Sequence, residues 1–132
     1  MFSMLKNNFK SILIALVILY LSTTESENLE PPGFLDFQHA DKVIHFLMYF
    51  AFMLVLSFDN RVIIEKKKNI FFIGIIPFVF GLVMEACQEL FTLTRGADIF
   101  DALSNTLGIL FAALIWTYLS ALFKKDSDRN PI

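Results

Sequence analysis

The sequence predicts an all-α fold, an integral membrane bundle of four transmembrane helices, on three observations. Hydrophobic residues fill 56% of 132 positions, with 16 Phe and a mean hydropathy of +0.62, which excludes an ordinary soluble domain. The apolar residues form four continuous runs, at about 9–24, 43–58, 70–93 and 99–123, without the period-two alternation of a β-barrel. Helices satisfy their own backbone in hydrocarbon, so such runs imply helical spans. Finally, His45, Glu85, Gln88, Asp101 and Asn105 interrupt these runs near the same ends. Ionisable groups in a bilayer are costly and mark a site.

The elements follow in order. Segments one and two are marginal against the roughly 20 apolar residues that a span needs, and rely on snorkelling Lys10 and on interfacial flanks. Lys6, Lys10, the run Ile12–Leu21 and Ser22-Thr23-Thr24 also fit a secretory signal peptide, but no Ala-x-Ala cleavage site follows, which favours a retained span. Residues 25–40 form the one long connection, broken by Pro31-Pro32-Gly33, with Phe34, Leu35 and Phe37 placed to lie back on the membrane. Segment two carries Asp41, His45 and Tyr49 at steps of four, with Lys42 beside them. Segment three repeats the stripe with Gly81, Glu85 and Gln88; Pro77 predicts a kink, and Gly74 and Gly81 permit close neighbours. Its Cys87, the only cysteine, excludes an intrachain disulfide and reads as a packed thiol. Segment four offers Asp101, Asn105, Gly108 and Ala112 on one face, and 126–132 reads as a frayed cytoplasmic tail.

Charge orients the bundle. Every lysine and arginine except Lys42 and Arg95 flanks one side, so the positive-inside rule puts both termini in the cytoplasm and makes the 25–40 loop extracytoplasmic. The basic run 65–68 then fixes topology, and no nucleic-acid partner is expected. With a helical rise of 1.5 Å per residue, Glu85 lies roughly 12 Å and Asn105 roughly 9 Å inside the outer ends of their segments. The polar stripes are therefore expected to meet in the outer leaflet. Two helix N-termini point there with Lys42 and Arg95, an arrangement suited to an anion.

Three motifs, Asp41-Lys42-x-x-His45 with Tyr49, Gly81-x-x-x-Glu85-x-x-Gln88, and Arg95-x-x-Asp98-x-x-Asp101-x-x-x-Asn105-x-x-Gly108, resemble those of the VanZ-like membrane proteins, named for a glycopeptide (teicoplanin) resistance determinant. They span about 41–112 of a single 1–132 domain, and Ala112 stands where many members carry a second glycine. The resemblance implies a cell-envelope function at the outer leaflet of the bacterial inner membrane. It supplies no reaction.

Local readings compete with the functional ones. Asp98 with Asp101 fits a capping box for segment four, Asp41 a cap for segment two, and Arg95 an ion pair with either. His45, Gln88 and Asn105 fit interhelical hydrogen bonds, and Glu89 points off the polar face. Glu85 resists such an account, because a carboxylate that deep needs a partner.

Three functions stay open. The first is binding or modulation of an anionic or amphipathic envelope ligand, such as a lipid-linked precursor or the lipid-like part of a glycopeptide, through Asp41, Lys42, His45, Tyr49, Glu85, Gln88, Arg95, Asp98, Asp101 and Asn105. The second is an intramembrane enzyme with His45, Glu85 and Asp101 as acid and base on a lipid headgroup. The third is a structural bundle, packed through Gly81, Gly108 and Ala112, that binds a second copy or another membrane protein. No cofactor is expected. His45, Glu85, Asp98 and Asp101 form an oxygen-rich set, but no compact ligand motif supports a metal.

Overall fold

The computed structural model describes residues 8–24, 39–64, 69–92 and 96–129. Four helices carry the fold: α1 (Phe9–Thr23), α2 (Ala40–Asp59), α3 (Asn69–Phe91) and α4 (Ile99–Arg129), with a single turn at Arg61–Ile64 between α2 and α3. The described residues include no strand.

Three segments are long and apolar enough to cross a membrane: Ala40–Asp59, Ile70–Phe91 and Ile99–Ala121. The expectation of four full spans needs correcting at α1, whose 15 residues rise about 22 Å against a hydrocarbon core of about 30 Å. Most of the predicted 25–40 loop, through residue 38, lies outside the described residues, as does Arg95. Residues 126–129, read as the start of a tail, continue α4.

A polar joint fixes α1. Its N-cap, Asn8, makes no side-chain cap; instead Asp59, at the last turn of α2, accepts the Ser11 N–H at 3.0 Å and the Ser11 hydroxyl at 2.7 Å. Asn60 adds a bond from its amide to the Asn8 side chain at 2.7 Å. At the other end, the Thr24 hydroxyl donates to the Tyr20 carbonyl at 2.6 Å. Ser11, Ile18 and Ser22 form the buried stripe of this helix.

The other helices bury the stripes that their spacing foretells. In α2 these are His45, Tyr49, Phe52, Met53, Leu56 and Ser57. In α3 they include Ile73, Pro77, Gly81, Met84, Glu85 and Gln88, with the helix continuing on both sides of Pro77. In α4 they are Asp101, Asn105, Gly108, Ile109 and Ala112. Outward residues such as Phe71, Leu90 and Leu114 are more than half exposed, as lipid-facing side chains are.

The α2–α4 interface is by far the most extensive. Gly108 explains the close approach, since a Cβ there would overlap the Phe46 carbonyl oxygen and lie 3.0 Å from the Phe50 nitrogen. Fully buried Ala112 continues the small face one turn on, and Phe46, Phe50 and Phe111 pack beside it at 5.9–6.1 Å.

Candidate functional site

Both α2 and α4 begin at the end of the bundle where α3 finishes, and this brings the motif residues together. α2 starts from His39 in a left-handed conformation, φ 68°, with no side-chain cap. Asp41 is thus not the cap that the sequence suggests; it sits in the first turn and pairs with Lys42 at 2.7 Å. For α4, Asp98 is the cap, its carboxylate accepting the Phe100 N–H at 2.8 Å. Its own N–H goes to Glu85 of α3 at 3.2 Å, so a residue of another helix takes the reciprocal role that a capping box would give Asp101. Glu89 accepts the Ala97 N–H at 2.9 Å. The end of α3 therefore positions the start of α4.

Lys42 is the hub of the mouth. Its ammonium contacts Asp41 and Asp101 at 2.7 Å each, and also Asp98. The sequence reading treats Lys42 as a free cation for an anion, whereas here its charge is already matched by carboxylates. The hydrogen bond from Lys42 also holds the Asp98 carboxyl below its ordinary value of 3.8.

Deeper in, a relay of buried polar groups crosses three helices. The Asn105 amide donates to Glu85 Oε1 at 3.4 Å, which turns its carbonyl oxygen toward His45 Nδ1 at 3.1 Å. His45 is thereby the Nδ1–H donor, and its Nε2 faces Asp101 Oδ2 at 3.6 Å, too far for a hydrogen bond. His45, Glu85, Asp101 and Asn105 are all buried. Tyr49 and Gln88 are more buried still, and among the described residues the Tyr49 hydroxyl and Gln88 Oε1 have no hydrogen-bond partner. Gly81 makes room for this layer, since a Cβ there would lie 3.2 Å from the Tyr49 ring and 3.5 Å from the Asn105 amide.

Beside the hub opens a cleft of about 580 Å³, bounded by His39, Lys42 and Asp98 at the helix starts and by Phe100, Leu103, Ser104 and Leu107 along α4. Sequence reasoning missed His39, Ser104 and the apolar wall. The steps of three and four from Phe100 to Leu107 are a helical stripe next to the polar one, and that periodicity was the available signal.

Comparison with curated proteins and with solved structures gave no match. The family model described as VanZ/LLP1 matches residues 2–123, and the chain belongs to that family.

Proposed function

We propose that this VanZ/LLP1 protein is a single-domain, multi-pass protein of the bacterial inner membrane, with cytoplasmic termini, that binds an amphipathic cell-envelope molecule from the outer leaflet. One observation carries the reading: the cleft joins a charged mouth at Lys42 and Asp98 to an apolar wall at Phe100, Leu103 and Leu107. A headgroup would sit at the mouth and a chain along the wall. Carboxylates outnumber the ammonium there, so a headgroup rich in hydroxyls or bearing an amine suits it better than a purely anionic one. The link to glycopeptide susceptibility comes from the family.

The test places a tryptophan on the wall. Cells making Leu107→Trp should lose the effect of the protein on teicoplanin susceptibility while keeping its normal abundance, as should Glu85→Gln, Asp101→Asn and Arg95→Ala. Unchanged susceptibility across the set would overturn the proposal, and lost abundance in Glu85→Gln would mean that the polar layer is a scaffold. A second reading, acid–base chemistry on a lipid headgroup, is favoured by His45 lying between Asp101 and the Asn105–Glu85 pair. Turnover of an envelope lipid by purified protein, absent in His45→Ala, is what that reading requires.

A further inference from the structure

We propose that His45, Glu85 and Asp101 bind a divalent transition-metal ion of the zinc class, a site independent of whatever occupies the cleft. One imidazole nitrogen and a carboxylate oxygen from each acid lie within 4.8 Å of one another. His45 Nε2 and Asp101 Oδ2, at 3.6 Å, are spaced much like two corners of a tetrahedron whose ligands stand roughly 2.1 Å from a central ion.

The hydrogen bonds point the same way. Asn105 accepts the Nδ1–H of His45, as a partner commonly does for a metal-bound histidine, and this turns Nε2 toward the Asp101 carboxylate. Lys42 holds the other oxygen of Asp101, leaving Oδ2 for a ligand. Among the described residues, Asp101 and Glu85 also set two buried carboxylates against the single ammonium of Lys42, which Asp41 and Asp98 share at the exposed mouth, and such an excess is costly in a bundle interior. A divalent ion would remove most of it. The Tyr49 hydroxyl and Gln88 Oε1, at 1% and 2% residue exposure, lie one turn from His45 and Glu85 without partners among the described residues. Tyr49 packs on Gly81 beside Asn105, and a water held by the ion would give such groups a bonding partner. One imidazole with two carboxylates and an open position suits zinc.

The experiment uses the full chain in nanodiscs, stripped with chelator and titrated with Zn²⁺. The expected result is one tightly held ion whose X-ray absorption edge shows a single imidazole. The chain has only two histidines, so His39→Ala should keep that signature and His45→Ala should lose it, with an affinity loss of roughly 100-fold or more. Asn105→Ala should weaken binding roughly 10- to 100-fold while keeping the single-imidazole signature. Asp41→Asn should change little. Absence of bound zinc, binding without imidazole, or binding lost in Asp41→Asn but kept in His45→Ala would each overturn the proposal, the last by placing an adventitious ion at the acidic rim. If His45→Ala fails to fold, the absorption spectra of the wild type and His39→Ala decide.

Discussion

Replacing Gly108 by alanine adds one carbon where the α2 backbone already stands. The new Cβ would overlap the Phe46 carbonyl and lie 3.0 Å from the Phe50 nitrogen, so no side-chain rotation relieves it and the two helices must separate. Overpacking of this kind costs about 1–3 kcal/mol, and backbone contact puts Gly108→Ala near the top of the range. Alanine returns about 1 kcal/mol of helix propensity, leaving a net loss of about 2 kcal/mol, roughly 30-fold in the folded-to-unfolded ratio. Gly74 is the internal control. Its Cβ would meet the Met53 methyl and Ile109 Cγ2 at 3.7 Å, ordinary contact, so Gly74→Ala should be neutral or stabilising by up to about 1 kcal/mol. Gly81→Ala, with Tyr49 at 3.2 Å, should fall between them. Equilibrium unfolding in mixed micelles reads all three. A Gly108→Ala midpoint equal to or above that of Gly74→Ala would refute the account of the α2–α4 contact.

Removing the hub should leave like charges together: Lys42→Met should destabilise by roughly 2 kcal/mol, below the ~3–5 kcal/mol of a fully buried pair because water reaches Lys42 and Asp98. Unfolding midpoints should recover most of that loss in Lys42→Met with Asp101→Asn. Because Asp98 is held below its ordinary 3.8, its bond to Lys42 stabilises the fold above that pH and is lost as pH falls through the lowered value. Acid titration of unfolding should therefore flatten below that ordinary value in Asp98→Asn. Asp59→Ala should cost about 1 kcal/mol and raise hydrogen exchange at the start of α1 while leaving α3 and α4 protected.

How much of this was legible beforehand depended on whether a residue's role is set by its own helix. The stripes through His45, Glu85 and Asn105 were readable because a helix repeats every 3.6 residues and burial in lipid follows that period. Their meeting also followed, since charge asymmetry put the start of two segments and the end of a third at one level. Lys42 was misread for the complementary reason: a cation's freedom depends on which acids the fold gathers, and Asp98 and Asp101 lie more than fifty residues away. Asp59 left a fainter trace. A carboxylate in the last turn of a helix opposes the macrodipole, so its presence there asks for donors elsewhere, and the N–H groups left without intrahelical partners at the start of α1 supply them. The same logic applies at the other end, where Glu85 and Glu89 near the end of α3 accept N–H groups at the entry to α4. Acids at two helix C-termini thus serve the N-termini of two others. The bundle's polar residues fix how its helices meet before any ligand is considered, and a site built on that frame inherits its geometry.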